Sequence, residues 1–267
     1  MELLGYLGAL AMGILLGLIG GGGSILTVPI LVYFFSIDAT LSTAYSLFIV
    51  GLTAVVGAIS YWRNQLLDFK TAVVFSIPSF LAVYATRRFL MPLIPEQIVT
   101  VGSFTLTKNI LVMVVFALLM IAAAVSMIRP QKNLPVEGEG KLEFNYPLIL
   151  IEGAVVGVLT GFVGAGGGFL IIPALVVLAR LPMKLAVGTS LLIIAAKSLI
   201  GFIGDVQNYH DKLNWVFLGL FSIIAVSGIL VGSWLSKFIS SAKLKPAFGW
   251  FVLVMGVFIL FREAAKL

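Results

Sequence analysis

Gly17-Leu18-Ile19-Gly20-Gly21-Gly22-Gly23-Ser24-Ile25-Leu26-Thr27-Val28-Pro29 returns as Gly161-Phe162-Val163-Gly164-Ala165-Gly166-Gly167-Gly168-Phe169-Leu170-Ile171-Ile172-Pro173, displaced by 144 residues (17 to 161) without a gap. Both copies lie inside long apolar stretches, where runs of glycine are out of place. Each glycine costs a helix about 1 kcal/mol relative to alanine. Backbone unwound in lipid must also find hydrogen-bond partners where there is no water. Broken helices at matching places in two halves of a chain point to a transporter's binding site.

Working outward, the correspondence continues at the same offset: Gly13 with Gly157, Ser46-Leu47 with Ser190-Leu191, Gly57 with Gly201, Asn64 with Asn208. Apolar runs of span length occur at residues 3–35, 40–62, 69–91, 108–128, 147–179, 183–204, 213–236 and 246–262, the first and fifth broken by glycine. Residues 1–128 therefore form a first transmembrane repeat and 147–267 a second. A polar linker, 129–146, joins them. The fold class expected is an all-α polytopic membrane protein of two homologous repeats. Each repeat opens with a glycine-broken discontinuous or re-entrant helix.

Composition agrees. The chain has 267 residues, 61% hydrophobic and 10% charged, against about 25% charged in soluble domains. The net charge of +6 is scattered, which suits loops facing anionic lipid and argues against a nucleic-acid partner. Cysteine is absent, so disulfides and thiol chemistry are excluded. Met1-Glu2-Leu3-Leu4 lacks a basic n-region, and the first apolar segment is expected to stay in the mature protein.

Charge also bears on topology. If every apolar segment crosses once, the basic residues divide evenly between the two sides. If both glycine-broken segments return to the side they entered, the majority falls on one side: Arg63, Lys70, Arg129, Lys132, Lys141, Arg180, Lys184, Lys237, Lys243 and Lys245. The positive-inside rule prefers the second arrangement. It makes the repeats inverted, with both termini outside.

Inverted repeats would bring the two glycine loops together near mid-membrane. A half-helix is expected after each, from Ile25 to Tyr33 and from Phe169 to Leu178, with free amides and the positive end of its dipole toward the loop. Bare glycine lets an oxyanion approach that backbone. Gly20, Gly21, Gly22, Gly23 and Ser24, with Gly164, Gly166, Gly167 and Gly168, are thus the candidate anion cradle. The alternative is close helix packing, which is the preferred reading for Gly13/Gly17. Pro29 and Pro173 read as kinks or helix limits. No Lys-Ser/Thr follows either run, so an ATP-type phosphate loop is not indicated.

Lys197 lies within the sixth run, and its counterpart is Thr53. A lysine at the centre of a span costs about 2.5–3.5 kcal/mol, so it reads as a charge balancing an anion, with snorkelling as the alternative. Ser46, Thr189 and Ser190 offer hydroxyls to a substrate, or to the carbonyl one turn back. Asn64 and Asn208 read as helix caps. Glu152 reads as an interfacial carboxylate, with proton coupling as its alternative. The turn Asp205-Val206-Gln207-Asn208-Tyr209-His210-Asp211-Lys212 reads as polar surface, and Arg87-Arg88 as a basic pair flanking a span.

The doubled pattern at Gly17, Gly20, Gly22, Gly23, Pro29 and at Gly161, Gly164, Gly166, Gly167, Pro173, with Gly188-Thr189-Ser190 behind the second copy, resembles the sulfite exporter TauE/SafE family of membrane transporters. In the first half Ala44-Tyr45-Ser46 replaces the Gly-Thr-Ser form. The resemblance covers essentially the whole chain. It implies a multi-pass protein of the inner cell membrane that moves a small sulfur oxyanion or organosulfonate, sulfite- or sulfoacetate-like, usually outward. It implies no cofactor and no metal. The expected partners are the small anion and membrane lipid; a homo-oligomer and proton coupling stay open. The alternatives are a channel or carrier for another small anion such as a carboxylate, an intramembrane enzyme and a non-transporting assembly factor. The enzyme reading is poorly supported, with one histidine, no cysteine and no metal-ligand cluster.

Overall fold

Leucine, isoleucine, valine and alanine dominate the apolar runs, and in lipid such backbone must satisfy its own hydrogen bonds, which a helix does. The computed structural model describes residues 2–101, 104–128, 146–164, 168, 171–172, 175, 181–236, 238 and 241–265. Its helices are α1 (Glu2–Ile19), α2 (Thr27–Phe34), α3 (Ala39–Arg63), α4 (Phe69–Ala85), α5 (Met91–Leu93), α6 (Lys108–Ile128), α7 (Tyr146–Val163), α8 (Met183–Tyr209), α9 (Trp215–Leu235) and α10 (Ser241–Ala264). Among the described residues six helices are long and apolar enough to cross a membrane. The chain is a polytopic, mainly helical membrane protein. A two-stranded antiparallel hairpin, β1 (Gln97–Val101) with β2 (Phe104–Thr107), lies between the third and fourth apolar runs and was not expected.

The core is a pair of antiparallel helices, α3 and α8. Gly57 packs on Leu191, Gly51 on Leu199, and Gly201 on Leu47. Phe48 stacks against Phe202 at 5.0 Å. Around this pair each half lends a helix to the other. α1 runs parallel to α9, with Gly13 against the Ala225 carbonyl and Gly17 against Ile229 and Ser233. α7 runs parallel to α4, with Gly153 against the Phe75 carbonyl and Gly157 against that of Ser79. No Cβ fits at these positions. In lipid there is little hydrophobic force between helices, and small residues gain packing by letting backbones approach.

Residues 2–35 form a hairpin. α1 rises for about 27 Å at 1.5 Å per residue, turns at Gly20, and the chain returns beside it. On the way back Gly23 lies against Leu16, Ile30 against Gly8, and the Phe35 ring covers Gly5. Tyr6 meets the same ring edge-on at 5.2 Å. The first glycine-broken segment thus begins and ends at one end of the bundle.

Loop chemistry fixes the other starts. Asp68 accepts from the Lys70 and Thr71 amides ahead of α4, and Asn214 accepts from Phe217 ahead of α9, side-chain caps that satisfy first-turn donors. Asn64 closes α3 and returns its amide to the Ser60 carbonyl at 2.7 Å. Leu81, Ile151, Val216 and Phe261 stand exposed, while Ser24, Thr43, Ser46, Thr53, Thr189 and Lys197 are buried. An apolar outside around a polar inside is the arrangement lipid demands.

Candidate functional site

Both glycine runs turn at the same residue. Gly20 has φ +73° and Gly164, its counterpart at the 144-residue offset, φ +72°. That left-handed backbone is open to glycine at no steric cost and strained for other residues. Gly20 lies beside Val187, Ile172 and Ser190; Gly164 lies against Thr43, the position matching Val187 in the other half. The turns therefore sit near opposite ends of the α3–α8 pair. Between them the chains touch: a Cβ on Gly21 would overlap the Cα of Gly168, and one on Gly168 the Cα of Gly21, with Ile194 closing the side.

After Gly20 the chain winds as a 3-10 turn, Gly21–Leu26, before the α-helix begins at Thr27. Ser24 Oγ donates to the Gly21 carbonyl at 2.7 Å and is fully buried. The half-helix expected from Ile25 thus starts two residues later, and Pro29 falls in its first turn rather than at a kink. Proline's fixed φ is tolerated in a first helical turn. Gly22 lies within the 3-10 turn. Gly166 and Gly167 lie outside the described residues, as do most of the second half-helix and Pro173.

The hydroxyls divide. Ser46 is buried and its Oγ has no partner among the described residues. Thr189 Oγ1 accepts from the Asp68 amide at 2.9 Å, tying the loop after α3 to α8. Ser190 Oγ donates to the Val187 carbonyl at 2.8 Å, the back-bond to the preceding turn. Lys197 is buried and does not snorkel: its Nζ donates to Thr160 Oγ1 at 3.1 Å. The Thr160 carbonyl in turn accepts the Gly164 amide at 2.8 Å, so Lys197 stands one residue from the second glycine turn.

A second buried cation reaches the same turn through Thr43. Arg87 Nη1 donates to Thr43 Oγ1 at 2.8 Å and pairs with Asp205 Oδ2 at 3.3 Å, both side chains being 0% exposed. This corrects two expectations. Arg87 does not merely flank a span, and Asp205 does not belong to a surface turn, because α8 continues to Tyr209. Beside them Asn208 accepts from Arg88 and donates to the carbonyls of Arg87 and Gly204. Arg87 lies in a single π-helical turn, Thr86–Leu90, at the end of α4, a distortion frequent at functional sites.

The sequence did carry a signal for this cluster. Lys197, Gly201 and Asp205 recur every four residues and so share a helix face. Arg87 was hidden by the neighbouring Arg88, which made the two look like a boundary pair.

The polar equipment is one-sided. At the 144-residue offset Lys197, Thr160, Thr43, Arg87 and Asp205 correspond to Thr53, Leu16, Val187, Val231 and Tyr61. One glycine turn is lined largely by apolar groups and the other by two cations and a carboxylate.

Polar groups are thus buried inside a bundle of apolar spans and gathered at one of two glycine turns, an arrangement in keeping with a membrane protein that handles polar cargo. Residues 5–259 match the family described as Sulfite exporter TauE/SafE, and the chain belongs to that family. It is 28% identical over 261 residues to a "Probable membrane transporter protein" of Xylella fastidiosa (strain Temecula1), covering 96% of this chain and 94% of that one. It is 27% identical over 218 residues to the "Probable membrane transporter protein YunE" of Bacillus subtilis (strain 168), covering 75% and 76%. Against the "Probable membrane transporter protein MJ0441" of Methanocaldococcus jannaschii it is 35% identical over 133 residues, 45% of this chain and 48% of the relative. No solved structure matches the chain.

Proposed function

We propose that the protein is a secondary transporter of a small sulfur-containing oxyanion or organosulfonate, sulfite- or sulfoacetate-like, exporting it across the inner cell membrane by alternating access. The observation that carries this reading is the pair of glycine turns, Gly20 and Gly164, reversed at opposite ends of one helix pair and joined by the Gly21–Gly168 contact. Each turn then serves one face of the membrane, and the contact between them is the barrier that must part and re-form. The backbone of Gly20 to Ser24 and of Gly164 to Gly168 coordinates the anion, Ser46 and Ser190 supply hydroxyls beside the loop-anchoring Thr189, and Lys197 supplies charge.

The exchanged packing of α1 on α9 and α7 on α4 supports two inverted repeats. The hairpin of residues 2–35 supports a segment that returns to the side it entered. With that path the basic majority, Arg63, Lys70 and Lys184 included, collects at the end where α3 closes and α8 opens. The positive-inside rule makes that end cytoplasmic and places both termini outside.

The test is a binding and flux screen with purified protein in proteoliposomes, using sulfite, sulfate, thiosulfate, sulfoacetate and acetate, repeated under an imposed pH gradient. Saturable movement of a sulfur oxyanion is expected. Transport of acetate alone would replace the substrate class, and non-saturating flux would make the protein a channel.

A further inference from the structure

Among the described residues Arg87 is the largest side chain that the fold buries completely, and only part of its guanidinium is used. Nη1 takes both the Thr43 hydroxyl and Asp205. Nε and Nη2 have no hydrogen-bond partner among the described residues. Those two nitrogens form one edge of the planar guanidinium, where two parallel N–H bonds point the same way. That edge matches two oxygens of a single carboxylate, sulfite or sulfonate group. Buried donors of this kind are ordinarily satisfied, and a charged group left half-paired away from water is costly.

Its location joins this edge to the glycine turn. Thr43, held by Nη1, is the residue on which Gly164 rests. Gly204 packs on the Arg87 side chain with only 3.2 Å between a would-be Cβ and the Arg87 Cβ. Thr160, which accepts from Lys197, also accepts the Gly164 amide. Around the Arg87–Asp205 pair a further buried cation, Lys108, stands within electrostatic reach, so the pocket of charge is net positive. Tyr209 and Glu96 are the other titratable groups in electrostatic reach, Glu96 being exposed.

We propose that Arg87 is a substrate-binding residue: its Nε–Nη2 edge grips two oxygens of a small oxyanion at the Gly164 turn, while Thr43 and Asp205 position the guanidinium through Nη1. This rests on the transporter reading above and adds to it a residue and a geometry. The fork selects against round anions such as chloride, which cannot engage both N–H bonds at full strength.

The test compares wild type with Arg87→Lys and Thr43→Val in proteoliposomes. Sulfite uptake is followed, with chloride as competitor; if sulfite does not move, the best-transported of the five anions replaces it. Arg87→Lys keeps the charge and a partner for Asp205 but loses the fork. KM is expected to rise at least about tenfold, and the preference for the oxyanion over chloride to shrink, while the gel-filtration profile and melting temperature show folded protein. A KM within about twofold of wild type in folded Arg87→Lys overturns the proposal and leaves the transporter reading standing. Should Arg87→Lys not fold, Thr43→Val decides: a several-fold higher KM supports the positioning, and an unchanged KM overturns it. If wild type moves none of the five anions, the transporter reading fails first and this inference with it.

Discussion

Tyr61 and Asp205 occupy equivalent places in the two halves, 144 residues apart (61 to 205), and hold different partners. The Tyr61 hydroxyl donates to the Gly17 carbonyl at 3.1 Å, three residues before the first glycine turn. Asp205 pairs with Arg87 at 3.3 Å, beside the second. A neutral hydrogen bond steadies one turn and an ion pair the other. Tyr61→Phe should cost about 1 kcal/mol, the usual net worth of one such bond. Asp205→Ala strands a buried guanidinium and should cost about 3–5 kcal/mol. Thermal unfolding in detergent measures both, and a larger loss from Tyr61→Phe would contradict the asymmetry.

The Gly21–Gly168 contact predicts severe intolerance at both positions. Any Cβ there enters the opposing backbone, and backbone cannot swing aside as a side chain can. Gly21→Val or Gly168→Val should abolish uptake. Gly219→Ala, in α9 with nothing within 4 Å of its would-be Cβ, is the matched control. It should keep full transport and gain up to about 1 kcal/mol from better helix propensity. Normal flux from Gly21→Val would show that the turns need not touch.

How far the sequence reaches is clear from particular residues. The span limits were legible because hydrophobic length maps directly onto helix length in lipid. The run read at 108–128 became α6 at the same limits, and 183–204 became α8 with a five-residue extension. That extension is where the reading failed. Asp205 looks like the first polar residue after a span, and only its distant partner Arg87 allows the helix to carry it inside. Pairing of residues so far apart leaves no periodic trace. The 3-10 turn before α2 was equally hidden, because it depends on Ser24 donating to the Gly21 carbonyl rather than on the hydrophobic pattern. The hairpin at Gln97–Thr107 was missed because a single short pair of strands between spans interrupts no apolar run. Lys197, by contrast, announced itself: a lone cation in an apolar run is costly enough to need a reason.

That reason gives a further prediction. Lys197 is buried with its ammonium on Thr160. Lys197→Met keeps volume and removes charge, and replacing buried charge by apolar groups of similar size often leaves stability unchanged or improved. Anion uptake should fall about tenfold or more while the melting temperature holds or rises. Measuring the two together separates the roles: wild-type flux from Lys197→Met would retire its part in substrate binding.

Thr189 and Ser190 are neighbours in sequence with different duties, and they should respond differently. Thr189 Oγ1 is the acceptor for the Asp68 amide at 2.9 Å, so Thr189→Val leaves a part-buried donor without its partner. The cost is about 1–3 kcal/mol, read as a lower melting temperature, with KM unchanged if anchoring the loop is its whole duty. Ser190 Oγ bonds back to Val187 and lies 3.2 Å from where a Cβ on Gly20 would sit. Ser190→Ala loses only a local back-bond, so stability should change by less than about 1 kcal/mol. A several-fold higher KM is expected if that hydroxyl turns toward an anion at Gly20. Equal KM values for wild type and Ser190→Ala, with Thr189→Val raising KM instead, would move the hydroxyl contact from Ser190 to Thr189 and rotate the proposed anion position about α8.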